Sequence, residues 1–265
     1  MDGLVLDRAV ASVFRLADPP AWRHWRERKL ASRAADAGAL VVEVRDPRAL
    51  TPAERAALLE RCARANIAIY ASGRAADDPD IATRFAAQLG LRSADAIDGE
   101  WAGRARIPWH TEGYGEPRPV RSMVLHCAQA PAAGGELALM DPELAWLLLR
   151  DMGACFVDAL MQPDAMTLAA SGRRLPAFAV EPATGELHVR FTERRDDVAW
   201  KCDAAVSEAA ARLRRLLDRD TSCVLRTRLE PGMGLVANNV LYMRAAAPEG
   251  AGLVRGARFR ERLSG

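Results

Sequence analysis

The sequence has little of what would place it in a special class. Neither sign of charge dominates: 37 basic against 35 acidic side chains leave a formal net charge of +2. No single-sign field therefore draws the chain to nucleic acid or to a membrane surface. Lysine is almost missing, with only Lys29 and Lys201, so 37 − 2 = 35 of the basic residues are arginine. The 5 cysteines, at positions 62, 127, 155, 202 and 223, are odd in number and form no C-x-x-C pair, which argues for reduced thiols. The longest apolar runs, such as Leu144 to Leu149, fall far short of the ~20 residues a membrane span needs. No basic segment followed by an apolar stretch stands at the N-terminus. The expectation is a cytoplasmic protein with no nucleic-acid and no membrane partner.

What remains is an ordinary globular composition, 265 residues with 50% hydrophobic and 27% charged side chains, enough for one core of its own. Thr51-Pro52-Ala53-Glu54 reads as the start of a helix, with Thr51 as cap and Glu54 reaching back to it. The run Ile67 to Tyr70 reads as a buried strand, followed by the acidic turn Asp77 to Asp80 and a helix near Ile81 to Leu89 that Gly90 ends. Ser122 to His126 and Leu137 to Met140, with the Pro131 to Gly135 turn between them, look like a hairpin. Helices follow over Pro142 to Met152, capped by Asp141, and over Asp203 to Asp218. Further β-structure is expected at Ala177 to Val180, Leu187 to Phe191, Cys223 to Leu229, Gly234 to Val240 and Leu253 to Arg260. The last of these strands are divided by Pro231-Gly232 and by the Ala245 to Gly252 stretch. Strands before and after helices, without regular βαβ alternation, favour an α+β fold with a largely antiparallel sheet or barrel, in a single domain spanning 1–265.

Histidine is scarce, with His24, His110, His126 and His188 alone. His110-Thr111-Glu112 has the alternate spacing that puts an imidazole and a carboxylate on one face of a strand, where both can reach one metal. Alone this pattern is short enough to arise by chance. Its context is Trp109-His110-Thr111-Glu112-Gly113-Tyr114, then the Gly134-Gly135-Glu136 turn, and far downstream Gly234-Leu235-Val236-Ala237-Asn238-Asn239-Val240-Leu241.

On these residues the chain resembles the taurine dioxygenase-like (TauD/TfdA) family of non-haem iron, 2-oxoglutarate-dependent oxygenases. The similarity runs from about Thr51 to Leu263 and is strongest over Trp109 to Tyr114, Val120 to Asp151 and Leu229 to Arg262. The resemblance implies a distorted double-stranded β-helix, a jelly roll of cupin type, with helices packed outside and a metal site in its mouth. It implies Fe(II) held by two histidines and one carboxylate, with positions left open for cosubstrate and oxygen. His110 and Glu112 match the first two ligands, with Trp109 beside them.

The departures fall within the same site. The Asn-Asn-x-Leu block continues in relatives with the second metal histidine, and here that position is Tyr242. A phenol must lose a proton with a pKa near ~10 before it binds a cation well. After the Gly-Gly-acid turn, relatives place a small polar side chain that bonds the cosubstrate, and here Leu137 stands there. The cosubstrate arginine is expected about a dozen residues beyond the histidine position. Arg255 and Arg258 are the candidates, and strand register decides which points inward. If Arg258 matches a different position of the family, the usual arginine falls near Gly252 and is missing. These changes count against ordinary use of 2-oxoglutarate. Arg190 and Arg244 are further candidates for a basic lining that grips an acidic ligand.

The leading expectation is an iron-dependent oxygenase-like oxidoreductase acting on a small carboxylated or amino-acid-like metabolite. Its metal ligands would be His110, Glu112 and Tyr242, its catalytic groups Tyr242 and Glu112, and its cofactor contacts Arg255, Arg258 and Leu137. The alternatives are an inert pseudo-oxygenase that serves as a binding module or pairs with an active homologue, and a metal-free hydrolase or isomerase using Glu112 as general base. Homo-oligomer and homologous partner subunit both stay open.

Overall fold

The computed structural model describes residues 12–15, 19–32, 37–74, 78–92, 94–100, 107–218, 223–244, 249 and 252–263. Asp77 of the acidic turn and most of the Ala245 to Gly252 divider lie outside them. Six helices occur among the described residues: α1 (Pro19–Ala31), α2 (Pro52–Ala65), α3 (Ile81–Gln88), α4 (Pro142–Met152), α5 (Ala154–Leu160) and α6 (Ala204–Asp218). None of them is long and apolar enough to cross a membrane.

The helix starts follow from their caps. Thr51 Oγ1 accepts the Glu54 amide at 3.3 Å while the Glu54 carboxylate accepts the Thr51 amide at 2.6 Å, so two otherwise unpaired N–H groups are satisfied reciprocally. Asp141 Oδ1 accepts the Glu143 amide at 2.9 Å ahead of α4. Asp203 Oδ1 takes the amides of Ala205 and Val206 at 2.9 and 3.1 Å ahead of α6. Val206, Ala209, Ala210, Leu213, Leu216 and Leu217 then form the buried stripe of α6, the one-sided pattern of a helix on a core.

The main sheet has six strands in the order β1 (Val41–Glu43), β2 (Ile67–Ala71), β13 (Met233–Asn238), β5 (Ser122–Gln129), β15 (Leu253–Phe259) and β3 (Ala94–Glu100). Only β1 and β2 run parallel in it. A four-stranded sheet has the order β12 (Leu225–Thr227), β6 (Leu137–Met140), β14 (Leu241–Arg244) and β4 (Ile107–Thr111). Two small sheets complete the set: β11 (Val198–Trp200), β7 (Met166–Leu168) and β8 (Arg174–Leu175), and the pair β9 (Phe178–Val180) and β10 (Leu187–Val189). The architecture is a mixed α and β fold. Among the described residues the strands form separate sheets and do not close into one.

The central strands of the main sheet are buried on both faces, which is why β2 reads as a continuous apolar run. Ala68 and Tyr70 pack with Leu58 of α2 and Phe85 of α3. Ile67 and Ile69 pack the other way, with Leu137 and Leu139 of β6 and Leu225 of β12. A third core joins α4, α5 and α6 to Phe178 and Phe191.

Two expectations change here. The hairpin expected of Ser122 to His126 with Leu137 to Met140 is absent, because β5 is already flanked by β13 and β15 while β6 pairs with β12 and β14. The Pro131 to Gly135 turn carries the chain from one sheet to the other. The chain crosses a second time between β13 and β14. There Asn239 takes a left-handed conformation, with φ of 44°, and ends the strand expected to continue to Val240.

Candidate active site

The second crossing sets up the site. Asn238 and Asn239 are buried, and each acts as a fastening. Asn239 Oδ1 accepts the Val189 amide at 2.6 Å, and its Nδ2 donates to the Val189 carbonyl at 3.0 Å. Asn238 does the same with Leu263, at 3.0 Å in each direction. A side-chain amide thus serves as a short length of extra strand. The chain leaves this corner as β14, in which Tyr242 stands opposite His110 of β4.

β4 is held from its other side. The Thr111 amide donates to the Phe191 carbonyl at 2.9 Å, and Thr111 Oγ1 accepts the Phe191 amide at 3.2 Å. Directly after Glu112 the chain turns at Gly113, whose φ is 64°; a Cβ there would lie 2.4 Å from Val120 Cγ2, so only glycine fits.

His110, Glu112 and Tyr242 come together. The Tyr242 hydroxyl donates to Glu112 Oε2 at 2.6 Å, and the Tyr242 ring lies 4.1 Å from the His110 ring, centre to centre. His110 Nδ1 is 2.9 Å from the Pro108 carbonyl. A carbonyl only accepts, so Nδ1 carries the proton and Nε2 has the lone pair in the neutral ring. Burial holds the His110 imidazole below its usual pKa, opposed by the Pro108 carbonyl and the Glu112 charge. Burial also raises the Tyr242 phenol well above its ordinary value, reinforced by the charge of Glu112 and the bond to it.

Glu112 borders a cleft of about 630 Å³ that is also lined by Tyr114, Ser171, Asp196, Asp197 and Arg258, among others. Arg258 Nη1 donates to Glu112 Oε1 at 3.2 Å and to Glu116 Oε1 at 2.7 Å. Glu116 Oε2 is 2.7 Å from Arg260 Nη2. The Tyr114 hydroxyl donates to Asp197, which ties the segment after β4 to the segment after β10 along one side of the cleft.

The candidate arginines separate by face. Val254, Gly256 and Arg258 are paired with Cys127, Leu125 and Met123, and Arg255 with His126. Alternation therefore turns Arg258 inward with Met123 and Cys127, and puts Arg255 on the face that carries Ala257 and Phe259 against α2 and α3. Of the two, Arg258 is the one that reaches Glu112. Leu137 is buried between the sheets with Leu139 and Leu235. Gly252 lies against Pro131, 3.0 Å from where a Cβ would stand. Arg190 is buried and is not part of the cleft lining: its Nη1 donates to the Tyr114 and Glu116 carbonyls at 3.0 and 2.8 Å, clamping the loop that follows Glu112. The Arg244 side chain is outside the described set.

The remaining histidines stand elsewhere. His126 Nδ1 is 2.9 Å from the Tyr70 hydroxyl on the helix-covered face. His188 shares a space of about 10 Å³, room for one water, with Arg121, Glu186, Asn239 and Arg262. His24 is exposed on α1. Glu116 and Asp197 carried no sequence signal, since they sit in loops without periodicity, and Arg260 stands directly after the last residue of β15.

Among the described residues no group of three or more His, Cys, Asp and Glu side chains gathers as a metal site. His110, Glu112 and Tyr242 make a three-donor set only if the phenol gives up the hydrogen it now donates to Glu112. The residues therefore fit a divalent cation on that condition.

The family model for "Taurine catabolism dioxygenase TauD, TfdA family" matches residues 9–249. The chain belongs to the TauD/TfdA family. It thereby stands among dioxygenases, the enzyme class towards which the sequence leaned. Solved structures of similar fold include PvcB from Pseudomonas aeruginosa, at 19% identity over 83% of this chain and 84% of that one, with a TM-score of 0.64. In a second structure PvcB is described as an Fe, alpha-ketoglutarate dependent oxygenase from an isonitrile synthetic pathway. AAD-2, solved with Mn(II) and N-oxalylglycine, matches at 15% identity over 83% of this chain and 93% of its own, with a TM-score of 0.60. A taurine dioxygenase from Burkholderia xenovorans matches at 16% identity over 83% and 87%, with a TM-score of 0.55. No curated protein sequence matches.

Proposed function

We propose that this TauD/TfdA-family chain is an oxidoreductase acting on a small carboxylated or amino-acid-like metabolite, with its chemistry where His110, Glu112 and Tyr242 converge. The observation that carries this reading is the 2.6 Å bond from Tyr242 to Glu112 beside the His110 ring. It keeps the first two ligand positions of the family together and brings a third oxygen donor within their reach. The two sheets that face each other across Ile67, Ile69, Leu137 and Leu225 are read as the halves of a distorted double-stranded β-helix in one domain.

Bound iron would supply the open coordination positions at which substrate and oxygen meet. The chain's own residues do the rest. Arg258 is placed to orient a carboxylate, His110 is fixed in one tautomer by Pro108, and the bonded Tyr114–Asp197 pair lines one side of the cleft. Leu137 offers no hydrogen bond to a cosubstrate, which counts against ordinary use of 2-oxoglutarate.

One observation favours a second reading, an inert binding protein of the same fold: both carboxylate oxygens of Glu112 are already engaged, by Tyr242 and by Arg258. An anaerobic titration with ferrous iron and then 2-oxoglutarate separates the two. One equivalent of iron bound by the wild type and lost in Glu112→Ala supports the oxidoreductase, whether or not the keto acid adds a visible charge-transfer band. No iron bound between pH 7 and 9 sinks it and leaves the binding protein.

A further inference from the structure

Arg258 is held at a single corner. Its Nη1 is shared between Glu112 Oε1 at 3.2 Å and Glu116 Oε1 at 2.7 Å, while its Nε is buried and bonds nothing among the described residues. The pairing neutralises the charge and leaves the planar fork short of a partner, although a guanidinium is built to hold a carboxylate by two parallel bonds. A buried N–H without an acceptor costs free energy that a better-placed acceptor would recover.

Glu116 is able to let go. Its other oxygen already rests 2.7 Å from Arg260 Nη2. Its main chain is fixed independently of its side chain: the amide donates to the Gly113 carbonyl at 3.0 Å, and its carbonyl accepts from Arg190 Nη1 at 2.8 Å. The side chain can swing from Arg258 to Arg260 while the loop keeps its shape.

We propose that Glu116 is an internal competitor for carboxylate ligands at Arg258, occupying the guanidinium at rest and giving way when a ligand carboxylate takes its place in a two-point grip. This rests on the reading that the cleft takes a carboxylated metabolite. Glu116 then sets selectivity: an uncharged ligand gains nothing on Arg258 that Glu116 does not already supply, and a carboxylate is admitted only if it grips better than the chain's own.

The test is calorimetric titration of the full chain, without metal, with propionate and succinate and with uncharged propionamide. Glu116→Gln, which keeps the shape and removes the charge, is expected to bind the carboxylates roughly tenfold tighter than the wild type, the worth of one charge-assisted hydrogen bond, with propionamide unchanged. Glu116→Asp, which withdraws the charge by one methylene, is expected to fall between them. Arg258→Gln is expected to remove the gain. Equal affinity in wild type and Glu116→Gln, a gain that survives Arg258→Gln, or no carboxylate binding in any variant overturns the proposal. Since no iron is present, a failed iron titration leaves this result standing, and a failure here leaves the iron result standing.

Discussion

Tyr242 gives its phenolic hydrogen to Glu112 across 2.6 Å while its ring faces that of His110. Any cation entering here must replace that hydrogen, which burial and the neighbouring carboxylate hold in place. Tyr242→His removes the requirement, because a neutral imidazole binds without losing a strongly held proton. We expect ferrous iron to bind Tyr242→His at pH 7 more tightly than the wild type, by tenfold or more on the order of one pKa step. In the wild type the affinity should climb with pH, as the phenol becomes easier to ionise. Anaerobic titration at two pH values checks both statements. Affinity that is flat with pH in the wild type would show that Tyr242 keeps its hydrogen when metal binds.

The acid limb of stability should carry the mark of His188. Burial and the charges of Arg190, Arg121 and Arg262 push this imidazole down to about 3. Its folded pKa is below its unfolded one, so the unfolded chain takes up the proton first as pH falls. Stability is then lost progressively from about pH 6.5, the ordinary histidine value, downward to the folded pKa. His188→Gln should flatten this decline. Urea midpoints at pH 7 and pH 5 give the comparison, and an equal drop in both proteins would show that His188 does not contribute.

Lys29 is almost wholly buried beside two carboxylates at the start of α4, Asp141 of the cap and Glu143 of the first turn. It pairs with Asp141 and lies 2.7 Å from Glu143, and Arg262 reaches Glu143 at 2.9 Å. Burial raises the Glu143 carboxyl, but Lys29 and Arg262 outweigh this and hold it at about 2. Lys29→Met keeps the bulk of the stem and strands two buried carboxylates with one cation. A loss of about 3–5 kcal/mol is expected, the usual cost of removing one partner of a buried pair. Chemical denaturation at pH 7 measures it, and a loss below about 1 kcal/mol would match an exposed pair and contradict the burial.

Gly234 supports the other side of the main sheet. A Cβ at this position would fall 2.2 Å from the Tyr70 ring. That ring cannot yield easily, being stacked 4.1 Å from Phe85 and bonded to His126 at 2.9 Å. Gly234→Ala should therefore cost about 1–3 kcal/mol by overpacking, with a change in the near-ultraviolet dichroism of Tyr70. An alanine variant as stable as the wild type would mean that β2 and β13 slide without penalty.

The helices were legible because their signals are local. Thr51 with Glu54, Asp141 with Pro142, and Asp203 ahead of a 3.6-residue stripe each state where a helix begins, and each does so in the structure. The strands were legible as segments but not as partners. Ser122 and Leu137 head neighbouring runs, yet pairing depends on which ladder slots are already filled, and β13 and β15 arrive about a hundred residues later to fill those beside β5. The choice between Arg255 and Arg258 needed register for the same reason, since one residue of slip exchanges the two faces of a strand. Glu116 and Asp197 were invisible because a loop carboxylate looks like any solvated charge until its neighbours are known.

The corner from which Tyr242 descends is lashed to four distant stretches of chain. Asn238 and Asn239 are bonded to Asn66, Arg121, Val189 and Leu263. The phenol is thereby as immobile as the scaffold, and nothing that enters the cleft can push it aside without loosening all four moorings. The opposite bank is different: beyond Gly113 the main chain is held by Arg190 and a short turn, while the Glu116 side chain meets only the two guanidinium groups of Arg258 and Arg260 among the described residues. Adjustment to a ligand then falls to the side chains of that bank, Glu116 first among them, with β14 as the anvil against which they work.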